Sequence, residues 1–121
     1  MTILEEARIK LNAIDKEMTA LFEKMMISKE NKTNELKIIE KQLNRFKQER
    51  MIIIKEVALY KQRNGLPIYD PQREQELIKR NCELLTDKKY INDYLIFINE
   101  ILTASKAFQK QMITSQYPDE Q

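Results

Sequence analysis

The sequence predicts an all-α protein, an antiparallel bundle of four helices made of one long helical hairpin and two shorter helices. Three observations carry that expectation. Apolar residues recur at alternating steps of three and four through most of the chain, the spacing that gathers them on one helix face. Turn-forming residues are scarce, with one Gly and three Pro in 121 residues. A composition of 33% charged and 42% hydrophobic residues suits long amphipathic helices better than a sheet, which needs more turns. The length suits a single domain over residues 1–121.

The first helix, expected over about residues 3–29, has one buried seam: Leu4, Ala7, Leu11, Ile14, Met18, Leu21 and Met25. The pattern stops in the polar stretch ISKENKTN and restarts as Leu36, Ile39, Leu43, Phe46, Arg50, Ile53, Val57 and Tyr60, a second helix over about 35–63. Asn64-Gly65 is a C-cap signal, because Gly tolerates the left-handed conformation, and Pro67 follows. Asp70-Pro71 is an N-cap with Pro at the first helical position, and it opens a third helix over about 71–86 with Leu77, Ile78 and Leu85 on its apolar face. After a break at Thr86 to Lys89, a fourth helix over about 90–113 carries Ile91, Leu95, Ile98, Leu102, Ser105, Gln109 and Met112 on one stripe. The tail from Thr114 is expected to fray.

Sliding the first helix by 25 residues lays IDKEMTALFEKMMI (Ile14 to Ile27) over IEKQLNRFKQERMI (Ile39 to Ile52), with apolar positions coinciding through most of the overlap. The repeat is either a duplicated helix or the coincidence expected of two amphipathic helices of equal spacing.

Composition removes several function classes. The 21 basic and 19 acidic residues are dispersed, with no basic block to hold nucleic acid and no charged tail. No apolar run approaches the roughly 20 residues of a membrane span, and MTILEEARIK lacks the apolar core of a secretory signal, so a cytoplasmic location is expected. Cys82 is the only cysteine and His is absent, which leaves no internal disulfide, no Cys/His zinc site and no histidine general base. No metal or cofactor is expected.

The informative residues are polar groups standing in apolar seams. Arg50 holds the seam position that Met25 holds in the first helix, and a buried guanidinium is costly unless it meets an anion. Lys61 lies 11 residues on, about three turns, and so shares its face at about 16 Å along the axis. Ser105 and Gln109 interrupt the fourth helix, and Glu74 stands one turn before Ile78 on the buried side of the third. Each alone has an ordinary structural explanation: a snorkelling Arg, a tolerated Ser, a Gln near a helix end, a Glu in a first turn. Together they suit a small dianion with a hydroxyl group, held between helices. With no nucleophile-base pair and no Gly-rich phosphate loop, such a site acts by positioning and electrostatics.

The stretch ERMIIIKEVALYKQRNGLPIYDPQRE, Glu49 to Glu74, closely resembles the centre of the all-helical (type II) chorismate mutases, with Arg50, Lys61, Asp70 and Glu74 at the family's spacing. LEEARIKLNAIDKEM, with Arg8 and Asp15, resembles the start of the family's first helix, and ASKAFQKQ supplies Ser105 and Gln109 of its closing motif. The resemblance implies the chorismate mutase type II fold and an isomerase that rearranges chorismate to prephenate on the way to phenylalanine and tyrosine. By that resemblance Arg8 and Arg50 bind the two carboxylates, with Ser105 assisting. Lys61 and Gln109 donate to the ether oxygen. Glu74 and the backbone at Asp70 hold the ring hydroxyl, and Arg73 stands at the edge of the site. In the [3,3] rearrangement the carbon-oxygen bond stretches first, so donors aimed at that oxygen favour the transition state over the substrate.

The departure from the family lies in the first helix. There the two Arg are about 17 residues apart on one helix, whereas Arg8 and Arg50 are 42 apart, an excess of 25 that equals the repeat offset. In the usual dimers the first Arg reaches into the partner's site. A hairpin about Asn31 to Asn34 would supply it within one chain and favour a monomer; a longer straight helix, nearly seven whole turns longer, would keep its phase in a homodimer. Met25 and Thr33 stand where a second pair of Arg would be, so the hairpin would complete one site. The rival functions are an isochorismate-pyruvate lyase, against which Glu74 argues, and a non-catalytic helical interaction module whose polar seam residues set register.

Overall fold

The computed structural model describes the backbone of residues 1–116 and the side chains through Ile113. α1 (Ile3–Asn31) opens with a capping box in which Thr2 Oγ1 accepts from the Glu5 N–H at 3.0 Å and the Glu5 carboxylate accepts from the Thr2 N–H at 3.2 Å. It ends two residues beyond the expected stop because Lys32 takes the left-handed conformation (φ 53°) and its N–H caps the Ser28 carbonyl, which also accepts from the Thr33 N–H. The chain reverses there, and α2 (Leu36–Arg63) runs back along α1. The excess of residues is therefore folded into a hairpin, and a straight helix is excluded.

α2 stops as the sequence implies: Gly65 adopts φ 63°, and the Leu66 N–H reaches back to the Lys61 carbonyl at 2.8 Å. α3 (Pro71–Leu84) begins with Pro71 at its first position and Asp70 as N-cap, whose Oδ1 accepts from the Arg73 N–H at 3.1 Å. α3 is two residues shorter than expected because Leu85 turns extended and Glu23 of α1 captures Thr86 and Asp87 beyond it. The Glu23 carboxylate accepts from the Thr86 N–H (3.0 Å), the Thr86 hydroxyl (2.6 Å) and the Asp87 N–H (3.0 Å). Burial pushes that carboxyl up, but these three donors and nearby Lys88 outweigh it and leave it below its usual value. A 3₁₀ turn (Lys88–Tyr90) leads into α4 (Ile91–Gln116). With 14 and 26 residues, α3 and α4 are both shorter than the 29 and 28 of the hairpin helices, although α4 falls short of α2 by only two residues. It continues past Thr114, where fraying is expected; residues 117–121 lie outside the described residues.

The core has two ends joined through the α1 seam. Near the hairpin turn Ile14, Met18 and Leu21 meet Ile39 and Leu43; toward the other end Ala7 and Leu11 meet Ile54 and Val57. α3 and α4 close over Phe22 with Leu77, Leu85, Tyr90, Tyr94, Ile98 and Leu102. Tyr94, absent from the expected α4 stripe, is the most buried side chain there. Its ring packs edge-on to Phe22 at 5.4 Å, and its hydroxyl shares a 2.9 Å hydrogen bond with Thr19. Burial pushes that hydroxyl up to about 12, so it stays neutral. Among the described residues no helix is long and apolar enough to cross a membrane.

Candidate active site

All four helices contribute to one cleft holding about 500 Å³ of empty space, part of it open to solvent. Its wall contains every candidate substrate-binding residue singled out in the sequence: Arg8 from α1, Arg50 and Lys61 from α2, Asp70, Arg73 and Glu74 at the start of α3, and Ser105 and Gln109 from α4. Leu11, Ile54, Val57, Leu77 and Leu102 make the apolar remainder. The hairpin brings Arg8 and Arg50, far apart in sequence, into the same wall of one chain.

Each polar group is held by a specific neighbour. Arg50, 4% exposed, donates from Nε to Asp15 Oδ1 at 2.8 Å and from a terminal nitrogen to Oδ2 at 3.4 Å. The anion that a buried guanidinium demands is thus supplied by α1 itself. Arg8 pairs with Asp70 at 3.3 Å, both partly exposed, so the same carboxylate that caps α3 also tethers the first cation. Lys61 is buried, and its Nζ donates to the Ile68 carbonyl at 2.8 Å. Burial pushes its ammonium below the usual lysine value, Arg8 and Arg73 push the same way, and Asp70 and Glu74 resist. Arg73 is likewise lowered, by burial first and then by Arg8 and Arg80, and Asn12 steadies it at 2.7 Å. Gln109 donates to Ser105 Oγ at 3.3 Å, while its own buried Oε1 has no partner.

Lys106 also lines this cleft, though its sequence context does not mark it as a site residue. Its ammonium straddles the Glu74 carboxylate at 3.1 and 3.3 Å and lies 4.5 Å from the centre of the Tyr69 ring. The only available signal was position, since it follows Ser105 and falls one turn after Leu102. The wall therefore carries five cations, Arg8, Arg50, Lys61, Arg73 and Lys106, against Asp70 and Glu74. Counting Asp15 behind Arg50, an excess of two positive charges remains. Among the described residues no group of three or more His, Cys, Asp or Glu is placed to hold a metal ion.

Residues 33–110, well over half of the chain, match the family model for chorismate mutase type II. The chain belongs to this family. Chorismate mutases of this kind are isomerases, and chorismate is their substrate. The match starts in the hairpin turn, so α1, with Arg8 and Asp15, precedes it. No curated protein and no solved structure matches the chain significantly.

Proposed function

We propose that this cleft binds one chorismate dianion and converts it to prephenate using residues of a single chain. The observation that carries the proposal is the excess of two positive charges in a cleft also lined by a buried amide donor, Gln109. Arg8 and Arg50 take the two carboxylates, Ser105 assisting, which selects the compact chair over extended conformers. Lys61 and Gln109 donate to the ether oxygen, where negative charge grows as the carbon-oxygen bond breaks. Glu74 and the Asp70 backbone hold the ring hydroxyl, and Arg73 guards the rim. Lys61 at present donates to the Ile68 carbonyl, so substrate oxygen must compete with or share that bond.

Since Arg8 comes from the same chain as the rest, the protein works as a monomer, and we place it in the cytoplasm, in phenylalanine and tyrosine biosynthesis. The test is a spectroscopic assay of chorismate loss with the product identified. Prephenate is expected, with no metal added and no loss of rate in chelator. Release of pyruvate and a hydroxybenzoate from isochorismate, with no prephenate formed from chorismate, would overturn the mutase reading in favour of the isochorismate-pyruvate lyase.

A further inference from the structure

α1 carries a second stripe beside its apolar seam. Arg8, Asn12, Asp15 and Thr19 each follow a buried seam residue by one position, after Ala7, Leu11, Ile14 and Met18. Every member has a partner on another element: Asp70, the guanidinium groups of Arg73 and Arg80, Arg50, and Tyr94. Within the stripe the Asp15–Arg50 pair stands apart, because its two side chains are 0% and 5% exposed.

Stability does not explain this pair. A buried ion pair breaks about even with apolar side chains of the same volume. The repeat itself shows an apolar alternative, since Met25 fills in α1 the seam position that Arg50 fills in α2. Geometry offers a reason. Asp15 engages Nε and one terminal nitrogen, which fixes the plane of the guanidinium, and Arg50 lines the cleft.

We infer that Asp15 is a positioning residue, whose carboxylate, gripping Nε and one terminal nitrogen of Arg50, sets the guanidinium at the angle needed to hold a substrate carboxylate. The inference rests on the reading of Arg50 as a carboxylate ligand. It also gives α1 a purpose beyond carrying Arg8: the helix that precedes the family match both supplies one cation and orients the other.

Asp15→Asn separates positioning from packing, because its two effects oppose each other. Loss of the buried negative charge raises the positive excess of the cleft from two to three, so a dianion is held no less tightly. Loss of the charged two-point grip lets the guanidinium move, and a displacement of about 1 Å at a positioning group costs on the order of 100-fold in rate. The expected result is a kcat lowered about 10- to 100-fold with KM unchanged or reduced, in a variant that still melts cooperatively. A purely structural Asp15 would lower the melting temperature and leave kcat and KM of the folded enzyme at parent values; that outcome, or a raised KM at parent kcat, overturns the inference. If Asp15→Asn does not fold, Asp15→Glu keeps the charge and shifts the guanidinium by one methylene; kcat should fall at near-parental KM, and a parental kcat overturns the inference equally. Arg50→Lys is measured alongside. Parental kinetics in Arg50→Lys would defeat the reading of Arg50 itself, whereas a defective Arg50→Lys beside a parental Asp15→Asn defeats only the role of Asp15.

Discussion

Replacing Gln109 by Glu changes one atom group at the place where transition-state charge is proposed to develop. Gln109 is 3% exposed and its Nε2 reaches Ser105 Oγ, so the carboxylate of Gln109→Glu would sit dry, lacking the donor and carrying a charge of the wrong sign. Loss of one donor of this kind costs about 100- to 1,000-fold in kcat. Repulsion between like charges at about 4 Å is worth up to roughly 4 kcal/mol at an effective dielectric constant of 20, so the ionised variant should be nearly inactive. Only the protonated fraction, which can still donate, then carries the reaction. Burial and the bound dianion raise that carboxyl while the surrounding cations lower it, so the protonated fraction grows as the pH falls. The ratio of variant to parent kcat should therefore be lowest at neutral and alkaline pH and should close by about one log unit per pH unit on acidification. The assay is chorismate loss in both proteins across that range, with circular dichroism confirming the fold at each pH. Parallel profiles of variant and parent would remove Gln109 from the reacting centre.

The cleft leads to two more expected outcomes. Because burial and Arg8 hold the Lys61 ammonium below its usual value of 10.5, kcat/KM should fall as pH rises through that lowered value. A bound dianion favours the ammonium, so the alkaline limb of kcat should lie at higher pH than that of kcat/KM; coincident or reversed limbs would contradict the placement of Lys61 beside substrate. Arg8→Ala and Lys61→Ala, each inactive, should give no recovery when unfolded and refolded together, since every chain keeps one defect in its own site. Return of roughly a quarter of parental activity, the yield of random pairing in a dimer with shared sites, would show that Arg8 acts across subunits.

Local signals in the sequence were enough for the existence of the helices and for two of their ends, because these depend on neighbours within one or two turns; the end of α3 was not legible, since Glu23 of α1 sets it. Alternating steps of three and four marked the α1 and α2 seams, and Asp70-Pro71 and Asn64-Gly65 marked a start and a stop that the backbone adopts. The hairpin was legible as a polar gap plus an excess of 25 residues, although only the left-handed Lys32 decides it against a straight helix. Arg50, Lys61, Glu74, Ser105 and Gln109 could be chosen because a polar group in an apolar seam is conspicuous on one helix alone, whereas Arg8, Asp70 and Arg73 were marked as site residues only by the resemblance to the family. Their partners could not be read in the same way. Periodicity says which face of a helix is buried, but not which residue of another helix meets it, and Asp15 meets Arg50 across 35 residues while Arg8 meets Asp70 across 62. Lys106 and Tyr94 escaped for the same reason: each looks ordinary on α4, and each is given its role by what α1 and α3 place opposite. The sequence by itself determined the elements, the seams and the chemistry available, whereas the pairing of charges across helices was decided only when the tertiary fold set those faces together.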